Sequence, residues 1–349
     1  ESYIAVPIYR KIPLEGYLQG GNDVAPRLSQ QAALIFGQVL QESMKANPET
    51  GANALPIVFE QDFTPLANAL FEHARSAPSW QYVLAIHRLA TLMGRYWSDI
   101  SRGTIQDSPI LEPVYACLPM MNDIERWMNG PGRDVLLEAL YSSGEEAFIP
   151  VVKTLGELRE PRAISILINR IGSTTTVSNR EQAIRIVHIC ETLAHLDDRR
   201  AVQPMQQMVG RVVDVAGRAT RSRRRDNLPF DDENIPGSIV YAAVIRAFVQ
   251  LNDRATLDFI VRAANDFDPF VRMEVLEALR RLDPSGEDAR SKTIAREALN
   301  DPHDAIVRLA CQLVGQYRDT SAIPALQRIS ESRPEVASAA YDVLRQIGQ

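Results

Sequence analysis

Apolar and polar positions in residues 300–326, NDPHDAIVRLACQLVGQYRDTSAIPAL, follow the period of an amphipathic helix and then restart. The first apolar stripe has spacings of three and four residues and consists of Ile306, Leu309, Ala310 and Leu313. Such spacing places these side chains on one face of a helix, where they can be buried against a neighbour. The segment is therefore predicted to be helical.

Signals for a helix start and a turn flank this stripe. Asp301 is a predicted N-cap, and Pro302 suits the first helical position, where its missing N–H has no helical partner. Asp304 adds negative charge to the first turn, which favours the helix dipole. Gly315 and Asp319 then predict a turn into a second helix, so the unit is an antiparallel helix pair.

The same turn recurs along the second half of the chain. LREPRAI from Leu158, LDDRRAV from Leu196 and YRDTSAI from Tyr317 share the order apolar, x, acid, x, x, Ala, Ile or Val. With a one-residue gap at the third, the repeated alanines are Ala163, Ala201, Ala255, Ala289 and Ala322, at intervals of 38, 54, 34 and 33. Helix pairs repeated in this way bury their apolar faces by stacking, which predicts an all-α array.

A second motif, Asp-x-x-Val-Arg, starts the later helix of a pair and resembles HEAT repeats, including the short bacterial HEAT-like repeats first associated with phycobilisome lyases. The resemblance covers about residues 145–349 and implies a right-handed α-solenoid. It also implies structural ladders between neighbouring repeats, formed by Asp268, Arg272, Asp304 and Arg308. Ala337 replaces the arginine in the last repeat, which is expected to act as an end cap.

The first 144 residues fit the repeat poorly. Prolines and glycines in residues 1–28 predict an extended N-terminal arm. Residues 29–144 are predicted to be a divergent helical region continuous with the solenoid, with a separate helical domain as the alternative. Amphipathic helices are expected at about 29–45, 63–76, 80–99 and 109–128, separated by turn clusters from Ala46 and from Asn129.

Charge is unevenly distributed along the chain. The net charge is −6, with 34 arginines and four lysines, but residues 153–225 carry 14 basic and 7 acidic residues. The long repeat interval contains a charged insertion at residues 217–238, with an arginine block of Arg218, Arg221, Arg223, Arg224 and Arg225. The block is either a solvated loop that pairs with the acidic residues after it, or a contact for an acidic protein surface or a phosphate backbone.

Catalytic and metal-binding motifs are absent from the sequence: it has no glycine-rich phosphate loop, nucleophile elbow or paired Cys-x-x-Cys. His188, Glu191 and His195 share one helix face, but the apolar residues lie opposite them. These three residues are interpreted as a solvated face, and neither a metal nor another cofactor is expected.

The three cysteines are far apart and lie in apolar helical patterns. Cys117, Cys190 and Cys311 are therefore expected to be reduced core thiols in a cytoplasmic protein. No apolar run approaches the roughly 20 residues of a membrane-spanning helix, so membrane insertion is not expected.

The sequence favours a non-enzymatic scaffold or adaptor, a subunit of a larger complex that binds an acidic protein partner through its solenoid surface. One alternative is a nucleic-acid-binding solenoid, similar to the HEAT-like DNA glycosylases, with the arginine block on phosphates. The resemblance also leaves open a lyase or chaperone subunit for phycobiliproteins, which would need a tetrapyrrole pocket. Salt-dependent binding to a duplex would identify the first alternative. The oligomeric state stays open.

Overall fold

A computed structural model describes residues 10–12, 33, 57–59, 64–102, 111–142, 145–213 and 235–348. Among these residues the fold is helical except for one parallel pair of short strands. The strands are β1 (Arg10–Ile12) and β2 (Ile57–Phe59), and Lys11 lies opposite Val58. The chain divides into two compact units, residues 1–155 and 156–349. β1 lies within the predicted arm; the rest of that arm falls outside the described residues.

The first unit contains helices that lie close to the predicted ones. They are α1 (Thr64–Ser76), α2 (Trp80–Ser101), α3 (Leu111–Trp127), α4 (Arg133–Ser142) and α5 (Glu145–Glu157). Helices α1, α2 and α3 contact one another, and α4 packs on α2. Their core includes the fully buried side chains Leu70, Ile86, Leu89, Met93, Ile124 and Leu136. Of the helix predicted at 29–45, the structure describes Ala33, which is helical and buried.

The turn predicted from Asn129 is wrong. The backbone stays helical there through a π-helical turn, Met128–Gly132, that joins α3 to α4. Wider winding accommodates Pro131, which has no N–H to donate, without ending the helix. Gly132 serves packing, because a Cβ there would lie 3.1 Å from the Trp127 ring.

The second unit is a stack of helix pairs. Its helices are α6 (Ala163–Ser173), α7 (Arg180–His195), α8 (Val202–Val212), α9 (Pro236–Gln250), α10 (Leu257–Val261), α11 (Pro269–Leu282), α12 (Ala289–Ala298), α13 (Asp304–Gln316), α14 (Ile323–Ser332) and α15 (Pro334–Ile347). The pairs are α6–α7, α8–α9, α10–α11, α12–α13 and α14–α15. Each second helix packs on the second helix of the next pair, in the order α7, α9, α11, α13 and α15. Among the first helices, α6 contacts α8 and α10 contacts α12. The predicted all-α solenoid class is confirmed. Among the described residues, no helix is long and apolar enough to span a membrane.

In the row of second helices, α9 packs between α7 and α11. Tyr241 and Phe248 are its largest fully buried side chains. Phe259 places its ring edge-on to both, with centroid distances of 5.5 and 5.3 Å. Aromatic groups that meet at their edges add to the free energy of apolar burial, so they stabilise the junction of α9 with the next pair.

Four turns between helices share one backbone conformation. Each has a residue with φ between 48° and 54°, at Arg159, Asp197, Asn252 and Arg318. The next residue is acidic, and its carboxylate accepts the backbone N–H two positions later; these residues are Glu160, Asp198, Asp253 and Asp319. The acid of the repeated sequence pattern is therefore a cap that fixes the turn.

The gap predicted at Ala255 is wrong. Asn252 and Asp253 occupy the same turn positions as their counterparts, so the alanine position of this repeat is Thr256. Thr256 is fully buried, and its hydroxyl donates to the carbonyl oxygen of Asp253 at 2.6 Å. That hydrogen bond satisfies the one polar group that threonine adds to an alanine site.

The predicted start of the helix after Asp301 is also wrong. Helix α13 begins at Asp304, with His303 at the N-cap position, rather than at Pro302. The Asp301 carboxylate accepts the backbone N–H of His303 at 3.0 Å and also binds a guanidinium of the preceding pair. These bonds hold residues 301–303 outside the helix.

The described core thiols are free and buried. Burial raises the pKa of Cys190 to about 12, and it raises the pKa of Cys311 to about 11. The Cys117 side chain lies outside the described part of the chain. A thiol with a raised pKa stays protonated at neutral pH and is a poor nucleophile.

We expect native protein at about pH 8 to leave Cys190 and Cys311 unmodified by iodoacetamide, because alkylation requires the thiolate. The same treatment in urea should modify both, since unfolding restores the ordinary pKa. Peptide mass spectrometry measures the two outcomes residue by residue. Rapid alkylation of either cysteine in the native protein would contradict its burial.

Gly286 occupies the turn between α11 and α12 with a φ of 63°. A Cβ there would lie 2.8 Å from Cδ1 of Tyr317 and 2.9 Å from Cε of Lys292. Both the backbone conformation and the space therefore require glycine.

We expect Gly286→Ala to lower the free energy of unfolding by about 1–3 kcal/mol, through strain and the clash with Tyr317. Gly210→Ala is the matched control, because Gly210 is helical with nothing within 4 Å of its added Cβ. The control should be neutral or stabilise by up to about 1 kcal/mol. Urea unfolding followed by circular dichroism measures both, and equal effects would count against the argument.

Candidate protein-interaction surface

The Arg272 guanidinium, on α11, binds the turn between α12 and α13. Nε and Nη2 donate to the two carboxylate oxygens of Asp301, at 2.7 and 3.1 Å. Nη1 donates to the carbonyl oxygens of Asp266 and Phe267, at 2.8 and 3.0 Å, and Nη2 lies 3.3 Å from Nδ1 of His303. Nδ1 of His303 also lies 3.1 Å from Oδ1 of Asp301, so it accepts from Arg272 or donates to Asp301 according to the His303 tautomer. The other four guanidinium N–H groups donate to protein oxygens, so Arg272 has at most one donor left for an external ligand.

The Arg272–Asp301 ion pair is buried between two helix pairs. Its side chains are 11% and 7% exposed, respectively. Removal of one member of such a pair leaves an uncompensated charge in the interior, which is strongly destabilising. The pair therefore holds α11 to the turn before α13.

Two other predicted ladder residues make smaller contacts. Asp268 is the N-cap of α11, where its carboxylate accepts the backbone N–H of Phe270 at 2.9 Å. Arg308, on α13, is exposed and donates to the carbonyl oxygen of Glu335 at 3.1 Å. Arg308 thus contacts the next pair through a single backbone bond.

Asp304 forms its contact with Arg333, at the start of α15. The same guanidinium donates to the carbonyl oxygens of Asp301 and Pro302, at 2.7 and 3.0 Å. Sequence reasoning missed Arg333. The available signal for Arg333 was its position directly before the helix-starting Pro334.

Further arginines bind backbone carbonyls at the ends of helices. Arg211, on α8, donates to three carbonyl oxygens at the end of α6, those of Ile171, Gly172 and Thr174. Arg254 donates to the carbonyl oxygen of Leu282 at 3.0 Å and to Glu287 at 3.1 Å. A planar guanidinium can serve several acceptors at once, which lysine cannot do in the same geometry. These bonds therefore explain part of the excess of arginine over lysine in the sequence.

A groove of about 530 Å³ lies between the C-terminal halves of α9 and α11. We call it the α9–α11 groove and define it by Arg246, Glu274, Glu277, Ala278, Arg280 and Arg281. It lies on the row of second helices, so it crosses the junction of two successive pairs. Most of the residues that line it are charged, and Val249, Gln250 and Ala278 complete the lining.

The charges of the α9–α11 groove are only partly compensated. Arg246 binds Glu274 at 2.7 Å, and Arg280 binds Glu277 at 2.7 Å. Arg281 is exposed and has no ion pair among the described residues. Three guanidiniums therefore face two carboxylates, and the groove is net positive.

A family model described as HEAT repeats matches residues 236–314. These residues are HEAT repeats. The match includes Arg272, Asp301 and every residue that defines the α9–α11 groove. HEAT repeats commonly form protein-interaction scaffolds and are typically non-catalytic. Comparison with curated proteins finds no significant match.

The arginine block lies outside the described residues. Arg218, Arg221, Arg223, Arg224 and Arg225 all fall within residues 214–234, immediately before the matched HEAT repeats. Their role as a partner contact stays a prediction.

The histidine face of α7 has a local pairing. Nδ1 of His188 lies 3.0 Å from Oε2 of Glu191, and Glu191 and His195 are exposed. Among the described residues, no group of three or more His, Cys, Asp or Glu is placed to hold a metal ion.

We expect Arg272→Ala to lower the free energy of unfolding by about 3–5 kcal/mol, because it leaves the Asp301 charge buried and unpaired. Arg308→Ala is the matched control on the next second helix and should cost less than about 0.5 kcal/mol, since its guanidinium is exposed. Urea unfolding measures both variants. A small loss for Arg272→Ala would show that the ion pair does not hold the HEAT repeats together.

Proposed function

We propose that the chain is a non-enzymatic scaffold or adaptor that binds a protein partner through the surface of its helix stack, as a subunit of a larger complex. The observation that carries this proposal is the stack of helix pairs with its HEAT match. Stacked repeats provide a long continuous surface, which suits the binding of another macromolecule.

The use of polar side chains supports a binding role over a catalytic one. Arg272, Asp301 and Arg333 are occupied by bonds that join successive pairs. Arg281 and Arg308, both on second helices, are exposed, so their charges stay available to a partner. A surface of this kind recognises its partner by complementary charge.

The charge distribution supports an acidic partner. The arginine block places five arginines in eight residues, Arg218 to Arg225, and like charges at that density repel one another unless a partner neutralises them. The α9–α11 groove, which follows in the chain, is also net positive. An acidic protein surface would compensate both.

The same arginine block favours nucleic acid as the second candidate partner, because guanidiniums bind phosphates in paired hydrogen bonds. The overall net charge of −6 weighs against a general coating of nucleic acid. Binding of phosphate backbone is therefore included as an outcome of the test.

We expect reversal of the three adjacent arginines, Arg223→Glu with Arg224→Glu and Arg225→Glu, to weaken binding to the native partner without unfolding the helix stack. The loss should be largest at low salt and small near 1 M, where the screening length is about 3 Å. Crosslinking and mass spectrometry from the native organism would identify the partner, and titration at several ionic strengths would measure its affinity.

The control carries the same change in net charge elsewhere. Arg318, Arg328 and Arg345 are exposed, and their reversal to glutamate should leave partner affinity nearly unchanged. Equal affinity of wild type and the arginine-block variant at every salt concentration would show that the block is a solvated loop that does not contact the partner. Binding to duplex DNA that is lost only in the block variant would instead favour the nucleic-acid candidate.

A further inference from the structure

We propose that the α9–α11 groove binds a carboxylate of an acidic protein segment. This inference rests on the proposed scaffold function, and it assigns a contact site on the described surface, separate from the arginine block. The site is formed where two successive HEAT repeats meet, so it requires the stacked pairs.

Guanidinium groups with unused donors are the first argument. Arg246 uses Nη1 on Glu274, and Arg280 uses Nε and Nη2 on Glu277. The remaining N–H groups of these two arginines, and all those of Arg281, have no hydrogen bond among the described residues. An incoming carboxylate can accept from several of them at once.

Access to the groove is the second argument. The side chains of Arg246 and Arg280 are 38% and 40% exposed, whereas that of Glu274 is 15% exposed. A partner therefore meets the positive groups more readily than the Glu274 carboxylate.

The groove is anchored at the end of α11 by the next pair. Nε2 of Gln316, on α13, donates to the carbonyl oxygen of Pro284 at 2.8 Å and approaches that of Arg280 at 3.4 Å. Arg246 also lies over the Phe270 ring, 5.7 Å from its centroid. The Phe270 ring and the bond to Glu274 restrict the Arg246 guanidinium before a partner arrives, which lowers the entropic cost of binding.

The groove chemistry favours a protein carboxylate over a phosphate backbone. Glu277 is 37% exposed and lies beside Arg280, so a phosphate chain, whose charges are fixed along its backbone, would be repelled by it more than an acidic peptide, whose carboxylates are on flexible side chains. The net positive charge of the groove compensates one such carboxylate.

The test uses a fluorescein-labelled polyglutamate peptide as the probe and fluorescence anisotropy as the measurement. We expect Arg281→Glu to weaken binding about tenfold at low salt, because one attraction becomes a repulsion. Arg328→Glu, on α14, is the matched control and should bind as wild type does. Circular dichroism and thermal unfolding establish that both variants fold.

A gain-of-function variant separates the proposal from damage to the fold. Gln250 is exposed and lines the groove. Gln250→Arg should tighten polyglutamate binding several-fold, since it adds a positive charge beside the existing ones. Unchanged binding in both Gln250→Arg and Arg281→Glu would overturn the groove assignment.

The remaining outcomes separate this inference from the scaffold proposal. Loss of binding on arginine-block reversal, with Arg281→Glu unaffected, would reject the groove and keep the scaffold. Loss on Arg281→Glu alone would support the groove and reject the block as a contact. No binding of polyglutamate by the wild type would reject both acidic-partner assignments. Tighter binding of single-stranded DNA than of polyglutamate, lost in Arg281→Glu, would overturn the choice of carboxylate.

Discussion

Backbone carbonyls left at the ends and turns of each helix pair depend on arginines from neighbouring positions in the stack. Arg211 serves the end of α6, Arg254 serves the end of α11, and Arg333 serves the turn before α13. Arg272 combines such carbonyl bonds with a buried ion pair to Asp301. Apolar burial brings the pairs together, but unsatisfied polar groups at their ends would offset that gain. These arginines donate the hydrogen bonds that the carbonyls would otherwise lack. They thereby fix the second helices in place, together with the exposed charges that those helices carry.

The sequence predicted the parts of this fold that depend on local periodicity. The buried stripe from Ile306 to Leu313 was predicted from helical spacing, and the acid of each turn was recognised as part of a repeated pattern, although not as a cap. Prediction failed where a distant residue decided the local structure. Asp301 did not start a helix because its carboxylate binds Arg272, which comes from another pair. Thr256 was missed because only the turn geometry, and not its residue type, marks it as an alanine site.

The candidate site was harder to predict than the fold. Arg246 and Glu274 are 28 residues apart and meet only once α9 and α11 pack. Their adjacency depends on the register of stacking, which no single repeat encodes. By contrast, the arginine block lies within one short segment and could be recognised from the sequence alone. Its residues, however, lie outside those that the structure describes. The two candidate contacts thus come from different kinds of information, one from tertiary packing and one from composition.

Asp301 has a mechanical consequence for the stack. Its carboxylate binds Arg272 of the preceding pair, and its carbonyl oxygen accepts from Arg333 of the following pair. One residue therefore connects three successive pairs. Apolar surfaces that slide past each other change in energy gradually, whereas a donor displaced by about an ångström loses most of its hydrogen bond. A bending load across these pairs thus meets an elastic resistance at Asp301 that apolar contact alone does not supply.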